Sequence, residues 1–133
     1  LAEFDPRLNG YSAHALVSIH SDSCEYINDV ATGYKVTGSL VSKTPEESNR
    51  LASCLIDRYA KRTAMQFHAG SITPHMQYYH AYSEIDAETP AAIIEIGFMN
   101  LDREILVNGS DLVAEGVTDG ILCFVRREML SGP

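Results

Sequence analysis

Two residues offer the most direct chemistry in this sequence. His20 directly follows Val17-Ser18-Ile19, and Glu95 interrupts the apolar run of Ile93, Ile94 and Ile96. An imidazole at a strand end can ligate a metal or move a proton near neutral pH. A carboxylate inside an apolar strand is costly unless it is paired, metal-bound or protonated, which makes it a candidate general base. Each has a plainer alternative, His20 as a hydrogen-bonded structural histidine and Glu95 as an ion-pair partner. Both stand at the carboxyl ends of strand-like segments, where ligands gather in open α/β sheets. Four further histidines, His14, His68, His75 and His80, are possible substitute ligands. His75 and His80 flank Tyr78, Tyr79 and Tyr82, a cluster that reads first as core and groove lining. Asp22 reads as a turn residue and Asn100 as a helix N-cap.

The elements that must position these groups alternate in type. Ala15–Ile19, Tyr34–Thr37, Met76–Tyr82 and Ala91–Ile96 have the length and boundaries of strands, the last buried on both faces. Thr44-Pro45-Glu46-Glu47 reads as a capping box opening a helix whose stripe is Leu51, Leu55 and Tyr59. Glu46 and Arg50 are spaced as an i,i+4 pair on its wet side. A second helix opens at Ser110-Asp111, with Val113, Val117, Ile121, Phe124 and Val125 as its apolar face. Gly116 and Gly120 would let that helix approach a sheet closely. A short helix spans Asn100–Leu106, and Thr63–Pro74 is a loop. Strands alternating with helices predict an α/β fold, a mixed sheet with helices on both faces.

The chain has 133 residues and a formal charge of −8. That length fits a single domain over 1–133. The acidic balance, with no Lys/Arg cluster, excludes a nucleic-acid surface. No apolar run approaches the roughly 18 residues of a membrane span, and no stretch reads as a signal peptide. Because the chain begins at Leu1, it reads as a processed or excised piece. Cys24, Cys54 and Cys123 include no C-x-x-C pair, so neither a Cys-rich zinc site nor a dense disulfide framework is expected. Cys54 and Cys123 read as small core residues, and the redox state of all three stays open.

Longer segments carry a resemblance. Leu16-Val-Ser-Ile-His-Ser-Asp-Ser23 resembles the "ISIHAN" strand of the zinc-dependent N-acetylmuramoyl-L-alanine amidases, the amidase 3 family of cell-wall hydrolases. Thr89-Pro-Ala-Ala-Ile-Ile-Glu-Ile-Gly-Phe-Met-Asn100 is similar to that family's "PAVLVEIGFLSN" segment almost position for position. Leu112–Ile121 resembles its closing helix. Asn9 and Ala13 match residues before the strand, whereas His14 stands where an Asp is common.

The resemblance implies an amidase 3-like domain whose single Zn2+ is held by two histidines and a glutamate. His20 would be one of those ligands and Glu95 the general base. The reaction would be hydrolysis of the amide joining N-acetylmuramic acid to L-alanine in peptidoglycan or a muropeptide. The location would be extracellular, periplasmic or in the cell wall. The family's other two ligands precede this stretch, one in a Gly-His-Gly loop that the sequence does not contain. The resemblance therefore covers the carboxyl-terminal part of the catalytic domain, without its N-terminal strands. An unpaired sheet edge that invites association is expected from that loss. The alternative is a catalytically inactive amidase-like domain that binds wall fragments or a protein partner. A flavodoxin-like reading is weaker, since no phosphate-cradling Gly-rich loop is found.

Overall fold

The computed structural model describes residues 2–131. Three strands form one mixed sheet: β1 (Leu16–Asp22), β2 (Lys35–Gly38) and β3 (Ala91–Phe98), in the order β1-β3-β2. β3 is central, parallel to β1 and antiparallel to β2. The near-continuous apolar run of β3 follows from that position, because side chains on both faces need apolar neighbours.

Alternation along the strands sorts the residues onto two faces. Ala92, Ile94 and Val36 face α1 (Pro45–Thr63), whose Leu51, Leu55 and Tyr59 are fully buried against them. α1 starts at Pro45, carries Glu46 and Glu47 in its first turn and Lys61 and Arg62 in its last, charges matched to the helix dipole. The capping box does not form. Thr44 Oγ1 donates instead to the Glu88 carbonyl, and Glu47 pairs with Arg50 and Arg127. Arg50 correspondingly pairs three residues back rather than with Glu46, and its guanidinium lies over the Phe124 ring at 4.1 Å. The stacking draws Arg50 inward, off the solvent face.

α5 (Ser110–Val125) packs on α1, preceded by the short α4 (Arg103–Asn108). Gly116 and Gly120 serve this helix-on-helix contact, not an approach to the sheet. A Cβ at Gly120 would lie 2.8 Å from the Leu55 Cα, and one at Gly116 2.9 Å from the Tyr59 ring. The same close approach sets Cys54 and Cys123 at a Cα–Cα distance of 5.7 Å, and they are joined by a disulfide. Both are buried, as a core reading requires, but they are bonded rather than free. Their 69-residue separation hid the pairing in the sequence. Cys24 is exposed and unpaired. Val125, placed on the apolar face by periodicity, is 54% exposed at the helix end.

The opposite sheet face carries Ala91 and Ile93 and is covered by two single-turn helices, α2 (Pro74–Gln77) and α3 (Ala81–Glu84). The strand expected over Met76–Tyr82 is therefore absent. Pro74 starts a helical turn after Thr73, and Met76 and Tyr82 are buried while Tyr78, between them in the alternating pattern, is 60% exposed. Helical turns, not a pleat, put the two buried residues on one side. The Thr63–Pro74 stretch is mostly loop, with a 3-10 turn at Ala69–Ser71 and an isolated bridge from Phe67 to Tyr34. Among the described residues no helix is long and apolar enough to cross a membrane. Among the described residues β1 has no partner on its outer side, and Ile19 on that edge is 55% exposed.

Candidate active site

Strand register brings the two singled-out residues together. His20 and Glu95 are paired positions on the parallel strands β1 and β3, and Lys35 on β2 pairs Glu95 from the other side. Paired positions project to one face, so His20, Glu95 and Lys35 form a row across three strands spaced about 4.8 Å apart. The row lies on the α2–α3 side and borders a cleft of about 530 Å³ whose walls include His20, His75, Tyr78, Tyr79, His80 and Glu95. A smaller hollow along β1 adjoins it through His20, Tyr79 and His80.

Glu95 carries the electrostatic tension expected of a carboxylate in an apolar strand. Its Oε2 is buried and has no hydrogen-bond partner. Burial pushes its pKa up, the neighbouring Asp22 carboxylate adds to that, and Lys35 opposes both. Asp22 ends β1 and forms an ion pair with Lys35. Burial raises the Asp22 carboxyl, but Lys35 and the Ser23 N–H overcome it and hold the pKa below the usual value. Asp22 is thus an ion-pair partner as well as a strand-end residue. Lys35 is 4% exposed, donates to the Ser71 carbonyl at 3.1 Å, and lies 5.1 Å from the Phe98 ring centroid.

His20 is half-buried. Its Nε2 is 2.9 Å from the Ser18 hydroxyl, and its ring meets Tyr79 edge-on at 4.9 Å. Burial, together with the nearby His80, lowers its pKa, so the neutral imidazole prevails at pH 7.

Asp102 braces this end of the sheet. Its carboxylate accepts from the Thr32 hydroxyl, from the Gly33 N–H at 2.9 Å and from the Phe98 N–H at 2.8 Å. It thereby ties the last residue of β3 to the segment that leads into β2. Asn100 does not cap a helix; it donates to the Cys24 carbonyl at 3.1 Å, and Asp102 occupies the N-cap position of α4.

The other histidines divide. His14 is exposed and precedes β1, so it shares no register with His20. His68 is held away, by Ser71 Oγ and the Val30 carbonyl. His75 and His80 line the cleft. Lys35 and Asp102 were not singled out in the sequence. For Lys35 a signal existed, a lysine at an alternating position in a short strand whose partner is β3. For Asp102 none did, because two of its three donors, on Thr32 and Gly33, come from a segment about 70 residues away that meets it only in the fold.

Among the described residues, no three His, Cys, Asp or Glu side chains come together to hold a metal ion. His20 is the one ligand the family resemblance assigns here, and its Nε2 is engaged by Ser18. The described residues do not by themselves make up a zinc site.

No protein-family model matches the chain, and no curated protein matches it. Solved structures do. The N-acetylmuramyl-L-alanine amidase Ami1 from Mycobacterium smegmatis superimposes with a TM-score of 0.66 at 22% identity, over 86% of this chain and 55% of that one. The N-acetylmuramoyl-L-alanine amidase from Clostridium difficile 630 gives 0.65 at 22% identity, over 88% and 60%. The CwlD amidase from Clostridioides difficile, solved in complex with the GerS lipoprotein, gives 0.64 at 17%, over 92% and 59%. The chain has the fold of part of these amidase-like domains, a small mixed-sheet α/β domain. It spans between 55% and 60% of the length of these three amidases.

Proposed function

We propose that this chain is the part of a peptidoglycan amidase catalytic domain that carries the general base. The observation that carries the reading is the register of β1 and β3, which sets His20 and Glu95 side by side at the mouth of one cleft. The amidase fold of the neighbouring structures supports it. The bond cleaved is the amide between the lactyl group of N-acetylmuramic acid and L-alanine of the stem peptide.

In this reading Glu95 takes a proton from the water that attacks the lactyl carbonyl carbon. As the tetrahedral adduct collapses and the C–N bond breaks, Glu95 delivers that proton to the alanine nitrogen. A carboxylate raised by burial suits the role, since its proton affinity lies closer to working pH than an ordinary glutamate's. Lys35 opposes the rise that burial and Asp22 impose and so keeps Glu95 ionisable. His20 would be one zinc ligand, with the others supplied by a segment outside residues 1–133. The share of each neighbour left uncovered supports that division. The Cys54–Cys123 disulfide supports an extracellular or periplasmic location, where such bonds persist.

A second reading, an amidase-like domain that binds wall fragments without cleaving them, is favoured by the Ser18 contact that occupies the His20 Nε2. Complementation separates the two. The chain is assayed on muropeptide alone and after mixing with a polypeptide that carries a Gly-His-Gly loop and a ligand glutamate. The amidase reading expects cleavage, and about one bound zinc by metal analysis, only in the mixture. A mixture that binds muropeptide but neither cleaves it nor gains zinc establishes the second reading.

A further inference from the structure

A second carboxylate–imidazole pair stands in the cleft beyond the His20–Glu95 row. His80 Nδ1 lies 2.6 Å from Glu84 Oε2, and the Glu84 side chain is 8% exposed. An ionised carboxylate only accepts hydrogen bonds, so the proton of this contact sits on Nδ1, and in the neutral imidazole Nε2 is then a lone-pair acceptor. Among the described residues nothing bonds to Nε2, and His80 lines both the cleft and the adjoining hollow. The ring is fixed twice over, by Glu84 and by Tyr79, whose ring centroid is 4.4 Å away. Tyr79 in turn meets His20 edge-on. The other Glu84 oxygen, Oε1, is buried without a partner, an expense that packing of the single-turn α3 does not explain. Orienting an imidazole toward a ligand does explain it.

We infer that His80, oriented by Glu84, recognises the peptide part of the ligand by accepting a main-chain N–H at Nε2. This rests on the amidase reading, because it takes the stem peptide to lie in this cleft. A pre-oriented ring whose Nε2 is free suits a peptide N–H, and its rotamer is already fixed before the ligand arrives.

The test is isothermal titration of the full chain with N-acetylmuramoyl-L-alanyl-D-isoglutamine, alongside His80→Ala and His80→Gln, each checked for an unchanged melting curve. Loss of one such hydrogen bond weakens binding about five- to tenfold in His80→Ala. Glutamine keeps an N–H for Glu84 and a carbonyl acceptor for the ligand, so His80→Gln stays within about threefold of the parent. A measurement without substitution runs beside these: the His80 Nε2 resonance in nitrogen NMR moves as the glycopeptide saturates the chain. Parental affinity in His80→Ala, equal losses in both variants, or an unmoved resonance at saturation overturns the assignment of His80 and leaves the amidase reading standing. Absence of any binding to the parent chain overturns the peptide-cleft reading together with it.

Discussion

At the scale of single residues, Glu95 does two opposing things. Its raised pKa means that the folded chain holds the glutamate proton more tightly than the unfolded one. Stability from that proton is complete below the ordinary glutamate pKa and is lost as pH rises through the folded value. Glu95→Gln removes the ionisation and keeps the shape. Its melting temperature should match the parent near pH 4 and exceed it increasingly toward pH 8, measured by calorimetry. In the completed domain the same change should lower muropeptide hydrolysis by about 10²–10⁴-fold, the usual worth of a general base. Equal melting temperatures at all pH values would show that Glu95 ionises freely, and near-parental turnover would remove it from the mechanism. Lys35→Met gives a second residue-scale expectation. It leaves Asp22 without its partner and Glu95 without its nearest cation. Loss of about 2–3 kcal/mol in urea unfolding is expected, and Asp22→Asn added to it should restore part of that loss.

Between elements, the α1–α5 contact is the point of greatest leverage. Gly120 lets the α5 backbone ride against Leu55, where an added Cβ meets the Leu55 Cα at 2.8 Å. The neighbour is backbone, which cannot swing aside. Gly120→Ala should therefore cost about 1–3 kcal/mol despite alanine's better helix propensity, and Gly120→Leu more. A variant as stable as the parent would mean that α5 shifts freely on α1. The Cys54–Cys123 bond clamps the same pair of helices. Closing a loop of this length stabilises by about 4 kcal/mol in the chain-entropy account. Cys54→Ala with Cys123→Ala should lower the melting temperature by roughly 10 °C or more for a chain of this size. Dithiothreitol at room temperature should act slowly on the parent, because both sulfurs are buried.

For the whole molecule, the outer side of β1 decides how the chain behaves in solution. A seven-residue strand with free backbone groups and an exposed Ile19 offers pairing to any other strand. Sedimentation velocity should show association that grows with protein concentration, and Ile19→Lys should suppress it. A parent that stays monomeric at high concentration would mean that the edge is protected by its own twist or by the side chains that flank it. A chain that spans 55% to 60% of the three amidases named above still has a sheet with a covered centre. β3 is covered on both sides and buries Ala92, Ile93 and Ile94, while the open flank falls on β1.

The sequence by itself determined most of the local elements and singled out His20 and Glu95. Ala91 to Ile96 reads as a strand buried on both faces, the Leu51–Leu55–Tyr59 stripe as a core face, and Glu95 stands out because ionisable groups are rare in such runs. These features follow from short-range periodicity and composition, which the chain carries locally. The segment from Met76 to Tyr82 failed as a strand because Pro74 and tertiary burial of Met76 and Tyr82 outweighed an alternation that only seven residues supported. What required the tertiary structure was every relation between distant segments. Lys35 joins Glu95 only through antiparallel register, Asp102 gathers donors some 70 residues away, and Cys54 finds Cys123 only because two glycines bring the helices together. Periodicity tells which face of an element is buried. What it is buried against is set by packing, and packing is settled only when all the elements compete for the same core.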